Sequence, residues 1–326
     1  MVPDWIHFYG DLRVRLEDTM DQNTAGDDRV RGRLRARFGV KFDISDDLKA
    51  EVRLTTKTAD ARNVHWDIGG GGDGMVGADV GFDRINLTWM PSDEFTIRAG
   101  KFGNPMAVNP VFGEWTWDGD IQPGGIFGMW SAGGDLDMDV RLGYFVVDEV
   151  NAPPETADPA VTIAQFNFGM DGDDFDWGVH TSLANWANEH PFTASAEDFM
   201  VWDTVLEGGM NDFVASIEYM NNLDDDSGDD TGYAVGLKYG AGGHKGDSVI
   251  AGSYFDFDAN AFLSEVAQDD TPIAGTGTGM GMDGFEANWS YWWKDNVMLR
   301  LWAISVDDGT NDPLRLRFEV NVNLKH

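Results

Sequence analysis

The chain has 326 residues, and its 57 acidic against 23 basic side chains give a formal charge of −34. That sign repels phosphate and excludes nucleic acid as a partner, while 12% aromatic residues exclude a disordered chain. With no cysteine, a disulfide scaffold, a thiolate metal site and a cysteine nucleophile are excluded together. No stretch approaches 18 consecutive apolar residues, so no helix is long enough to cross a bilayer. A barrel stays open as an architecture, because only alternate residues of its strands face lipid. Met1-Val2-Pro3-Asp4 reads as a start set just before the first strand, with an export signal removed from a precursor.

In chain order, the first segment already alternates. Ile6, Phe8, Gly10, Leu12, Val14 and Leu16 are apolar or small, against His7, Tyr9, Asp11, Arg13, Arg15 and Glu17. In the second, Val30, Leu34, Ala36, Phe38, Val40 and Phe42 oppose Arg29, Arg31, Arg33, Arg35 and Arg37. In residues 48–57, Leu48, Ala50, Val52 and Leu54 oppose Lys49, Glu51, Arg53 and Lys57. A helix would scatter these arginines round its axis, whereas a strand puts them on one face. Further segments fall near 80–90, 94–102, 124–132, 136–148, 160–170, 174–186, 197–206, 211–221, 232–241, 247–258, 281–293 and 296–306. The last, 313–325, sets Leu314, Leu316, Phe318, Val320, Val322 and Leu324 against Arg315, Arg317, Glu319, Asn321, Asn323 and Lys325.

Short and long connections alternate along the chain. Short ones include 91–93, 132–135, 171–174 and 294–295. Long ones fall near 18–28, 59–79, 103–123, 149–159, 187–196, 222–231, 259–280 and 307–312. Short inner turns and long outer loops are the asymmetry of an outer-membrane up-and-down barrel. The pattern predicts an all-β, transmembrane antiparallel β-barrel of about 16 strands, with 14 or 18 as alternatives because three segments alternate poorly. No linker interrupts it, so residues 1–326 form a single domain. Trp5, Trp89, Trp130 and Trp293, near strand ends, fit interfacial girdles.

Residues 1–62 hold 12 of the 23 basic side chains and are neutral overall, so the whole excess of acid lies beyond them. With the apolar face in lipid, Arg13, Arg15, Arg31, Arg33, Arg35, Arg37, Lys49, Arg53 and Lys57 project into the lumen, with Arg84 and Arg98 as further members. Such a basic ladder is either a wall that sets ion selectivity or a structural network paired with Asp11, Glu17 and Glu51. Few carboxylates on the ladder's own strands favour the wall, and with it mild anion selectivity or near-neutral behaviour at physiological salt, shifting toward cations at low salt as the acidic mouth gains influence. The run holding Asp224, Asp225, Asp226, Asp229 and Asp230 is a weak Ca²⁺ candidate, lacking the order and closing Glu of a calcium loop; a solvated acidic loop fits it better, and no other cofactor is indicated. Residues Gly69 to Gly74 lack the Lys-Ser/Thr of a phosphate loop. The six His residues have no metal-site spacing, and no nucleophile elbow is present, so the chain is not read as an enzyme.

Three stretches resemble the putative porin family of Gram-negative bacteria. They are Gly10-Asp11-Leu12-Arg13-Val14-Arg15-Leu16-Glu17, Phe82-Asp83-Arg84-Ile85-Asn86-Leu87-Thr88-Trp89, and Gly100-Lys101-Phe102-Gly103-Asn104-Pro105 running on to residues 117–125. The resemblance is strong over about residues 9–130. It implies a bacterial outer-membrane porin, a water-filled channel for passive diffusion of ions and small hydrophilic solutes. It also implies a homotrimer embedded in outer-membrane lipid and lipopolysaccharide. Porins of the wider class fold one loop into the lumen, which implies that 103–123 does so and carries Glu114, Asp118 and Asp120 opposite the ladder. The alternative is a barrel serving as an envelope anchor or as a surface receptor through its acidic outer loops; a soluble halophilic all-β protein is a third reading. Position 326 is His where the class ends in an aromatic residue, which points to a tag remnant or a divergent end.

Overall fold

In the computed structural model, residues 3–20, 28–57, 62–68, 77–134, 136–147, 158–172, 174–188, 198–225, 228–271, 281–309 and 312–325 are described. The Gly69–Gly74 run, Asp226 and His326 lie outside them. Sixteen long strands close into one antiparallel barrel, and a three-residue strand joins them. In chain order they are β1 (Ile6–Met20), β2 (Arg29–Asp43), β3 (Leu48–Thr56), β4 (Trp66–Ile68), β5 (Val80–Ser92), β6 (Phe95–Lys101), β7 (Gly124–Ala132), β8 (Asp137–Val146) and β9 (Ala160–Met170). There follow β10 (Asp176–Ala187), β11 (Met200–Met210), β12 (Phe213–Asn222), β13 (Thr231–Ala241), β14 (Ser248–Phe257), β15 (Met282–Lys294), β16 (Val297–Asp307) and β17 (Leu314–Lys325). The barrel closes because β1 pairs with β2 on one side and β17 on the other, with Val14 opposite both Leu34 and Val320. Closure leaves no unpaired edge, which is what lets strands cross a bilayer.

The alternation decides which face is wet. Val14, Leu16, Phe38, Leu142, Leu237 and Phe318 are exposed on the outer face, while Arg15, Glu17, Arg33, Arg317 and Glu319 are buried inside. A register slip of one residue would exchange the two faces. Aromatic side chains gather toward the strand ends: Phe213 and Tyr239 pair at 4.5 Å near the short turns, and Tyr254 and Phe285 at 5.0 Å nearer the long loops.

Two details depart from the sequence pattern. The connection 59–79 contains β4, which continues the sheet beside β2 where the nine-residue β3 stops, with Asp67 opposite Arg33. Three residues carry too little alternation to betray a strand. Glu207-Gly208-Gly209-Met210, which the sequence pattern leaves as the connection between the segments 197–206 and 211–221, belongs to β11. The reversal is made by Asn211 and Asp212, with Asn211 at φ 53°, a left-handed conformation that asparagine tolerates.

Candidate functional site

The connection 102–123 does not run over the rim but crosses the lumen. Phe102, fully buried, starts it. Arg141 of β8 donates to the Pro105 carbonyl at 2.9 Å, and the Gln165 amide of β9 exchanges hydrogen bonds with the Ala107 backbone at 2.7 and 2.9 Å. At the far wall, Asn109 donates to Glu218 of β12 at 2.8 Å, and Lys238 of β13 donates to the Pro110 carbonyl at 2.9 Å. Gly236 admits the tip, because a Cβ there would lie 2.7 Å from Val111 Cβ. Trp115 then packs among Phe112, Phe255 and Phe257, with ring centroids 4.3–5.2 Å apart. The segment returns to the first wall, where Arg84 Nε donates to Gln122 at 2.7 Å.

A second connection also enters the lumen. After β14, residues 258–271 carry the apolar run Ala261, Phe262, Leu263, Val266 and Ala267, all buried. The Asp118 amide donates to the Val266 carbonyl at 2.8 Å, and the Gln268 amide to the Glu114 carbonyl at 3.1 Å. Arg315 donates to the carbonyls of Asp269 and Asp270 at 3.1 and 2.9 Å, and Arg317 pairs with the Asp270 carboxylate. The sequence pattern places this segment among the outer loops. Its apolar run, unsuited to water, is the signal that marks it as packed.

The two segments meet the ladder at a chamber of about 220 Å³, lined by seven arginines and six carboxylates. Asp120 accepts from Arg35 at 3.2 Å and pairs with Arg37, while Arg35 also donates to Asp11 at 2.8 Å. Arg13 and Arg15 reach Glu319 of β17 at 3.7 and 2.6 Å. Glu17 is wholly buried and takes Arg31 at 2.5 Å, Arg317 at 2.6 Å and Arg33 at 3.6 Å. Arg33 also reaches Asp67 at 2.9 Å, and Arg53 holds Asp83 at 2.6 Å. The ladder's counter-charges therefore come from β4, β5, β17 and the 102–123 segment as well as its own strands. Arg98 stands apart, donating to Thr88 at 3.1 Å and lying over the Phe102 ring. Lys49 is exposed beside Asp43 at 3.9 Å, and Lys57 lines a separate cavity of about 520 Å³ near the long-loop end.

The carboxyls of the inserted segments differ in character. Burial pulls Asp120 upward, but Arg35 and Arg37 outweigh it and hold its carboxyl below the ordinary value. Burial, then Asp270 and Asp120, push Glu114 up to about 7. Burial and Glu114 raise Asp118 well above the carboxylate range, and burial with Asp270 lifts Asp269 to about 6. A Cβ on Gly119 would lie 2.2 Å from Glu114 Oε1, so the glycine makes room for that carboxyl.

Glu17, Asp67, Asp83, Asp269, Asp270, Arg315, Arg317 and Glu319 complete the network but are not in the ladder read from sequence. Those of β17 lie on its polar face, 296 or more positions from their partners on β1. The acidic run near 224–230 lies elsewhere: Asp225 accepts from Asn260 at 3.1 Å and Asp230 from Asn221 at 3.2 Å. Among the described residues, no group of three or more His, Asp or Glu is arranged to hold a metal.

The model of a family described as putative porin matches residues 20–148. No curated protein matches the chain in sequence. Among solved structures, the high-pH form of Pseudomonas putida OprB superimposes with a TM-score of 0.67 at 9% identity, covering 98% of this chain and 94% of that one. The low-pH form gives 0.59 at 10% identity, covering 98% and 92%. A triple mutant of the Rhodopseudomonas blastica porin gives 0.56 at 12% identity, covering 98% and 100%. At such identities these likenesses carry the fold. Residues 20–148 are similar to the putative porins, and the described strands of the chain have the fold of an outer-membrane porin barrel.

Proposed function

We propose that the barrel passes ions and small hydrophilic solutes by passive diffusion, as a homotrimer in a bacterial outer membrane in contact with lipid and lipopolysaccharide. The observation that carries this reading is the polar chamber between the ladder and the two inserted segments. Seven arginines and six carboxyl groups fill it with hydrogen-bonding groups of both signs. Solutes able to exchange water for such groups lose little on entering, whereas apolar ones lose hydration of the wall without compensation. Paired arginines also alter the selectivity expected of a bare basic wall. Most of the ladder's guanidinium fields, those of Arg13, Arg15, Arg31, Arg33, Arg35, Arg37, Arg53 and Arg84, are opposed by a carboxylate within 4 Å, so the ladder gives anions little advantage. The excess acid of the remaining chain then favours cations weakly.

Reconstitution in a planar bilayer tests the reading. Discrete conductance steps are expected, with a reversal potential in a KCl gradient displaced toward potassium. Native mass spectrometry in mild detergent is expected to give a trimer. Full membrane insertion with no conductance would remove the channel reading and favour an envelope anchor displaying acidic loops.

A further inference from the structure

We propose that Asp203 and Glu218 form a station for one small monovalent cation, ammonium or a partly dehydrated alkali ion, and thereby set the channel's preference for cations. The proposal rests on the conducting barrel above and names the residues that decide what it conducts.

Residues 142–237 contain no Lys or Arg, so β9 to β12 have no basic side chain other than His180. These strands form the wall across the lumen from the arginines, with β11 eight long strands round from β2. Besides Glu207, which His180 partners, two inward carboxylates stand side by side on that wall. Asp203 of β11 is opposite Met220 and Glu218 of β12 is opposite Val205, so the two are diagonal neighbours, a relation that spans about 7–8 Å. Glu218 is 3% exposed, and Asn109 is its one hydrogen-bond donor among the described residues. Asp203 Oδ1 is buried with no hydrogen-bond partner among them. Neither carboxylate has an ion pair there: Lys238, the nearest lysine along the sheet, donates to the Pro110 carbonyl, and His180 lies against Glu207 at 3.4 Å.

Both carboxylates line a cavity of about 60 Å³. Two carboxylates withdrawn from water without a counter-charge are strongly unfavourable, and the penalty is removed either by protonation or, when they are ionised, by a bound cation. The volume is about that of two waters, which admits ammonium or an alkali ion keeping one water and excludes a sugar-sized solute. Trp117 and Trp186, stacked at 6.2 Å, line the same cavity, and indole faces attract cations. A divalent ion suits the site poorly, since it needs six or more oxygen ligands and much of the remaining lining is apolar, as at Ile163 and Leu263.

The test compares the wild-type barrel with Asp203→Asn, Glu218→Gln and the double variant, in planar bilayers under a KCl gradient at pH 8. The potassium-to-chloride permeability ratio is expected to fall at least threefold in the double variant, with unitary conductance in symmetric KCl changing less than twofold. An unchanged ratio in an inserted, conducting double variant overturns the proposal. Should the variants fail to insert, wild-type crystals soaked in thallium(I) decide it. An anomalous peak between Asp203 and Glu218 supports the station, and a well-ordered site without one overturns it. Wild-type protein that inserts without conducting removes the channel reading, and the thallium result still decides whether the cation site exists.

Discussion

At the scale of single residues, the constriction depends on carboxylates that each oppose more than one guanidinium. Asp120 shows this most directly, because it faces Arg35 and Arg37 together. Arg35 keeps a second partner in Asp11 at 2.8 Å, but Arg37 lies 4.0 Å from that carboxylate. Removing one member of a buried pair costs about 3–5 kcal/mol, mostly because the other charge stays desolvated. Asp120→Asn is therefore expected to lower the barrel's melting temperature and to leave Arg37 as an exposed field in the pore. The reversal potential should move in the anion direction, read in the same bilayer. A variant with wild-type selectivity would mean that Asp120 lies off the permeation path.

At the scale of elements, the strands were legible because a lipid face and a lumen face impose period two on every one of them. The phase of β1, β2 and β17 follows directly from residues such as Val14, Phe38 and Val320. What period two cannot show is which wall faces which. Glu319 and Arg15 are 304 positions apart and meet only because the barrel closes. Loops carry no period at all, so the descent of 258–271 into the lumen is visible only as misplaced hydrophobicity at Phe262 and Leu263. The packing of that segment on 103–123 has a definite pH dependence. Glu114, Asp118 and Asp269 face Asp120, Asp270, Arg13, Arg300 and Arg317, and burial with the neighbouring acids raises all three above their ordinary values. A carboxyl that holds its proton more tightly when packed than when released favours packing fully below its ordinary value. That contribution is lost as pH rises, through about 7 for Glu114. Open-channel current noise is expected to grow between pH 5 and pH 9 as the segments loosen, and Glu114→Gln to suppress part of the increase. Noise independent of pH would show that the segments stay packed with these groups ionised.

For the whole molecule, the question is which of two acidic populations selects ions. The charge of −34 resides beyond residue 62, much of it in outer connections such as the aspartates from 224 to 230. Those charges act through solvent, and their reach follows the Debye length, about 30 Å at 0.01 M but about 3 Å at 1 M. Asp203 and Glu218 act inside a cavity where bulk salt screens poorly. Salt should therefore separate the two. Wild-type cation preference is expected to be strong at 0.01 M KCl and to persist, reduced, at 1 M. Asp203→Asn with Glu218→Gln should lose the preference at 1 M yet keep most of it at 0.01 M. Neutralising Asp224 and Asp230 to asparagine should do the reverse, weakening selectivity at 0.01 M and leaving 1 M unaltered. If both pairs of substitutions instead change selectivity in parallel at every salt concentration, mouth and interior act as one field, and assigning selectivity to separate acidic populations is wrong.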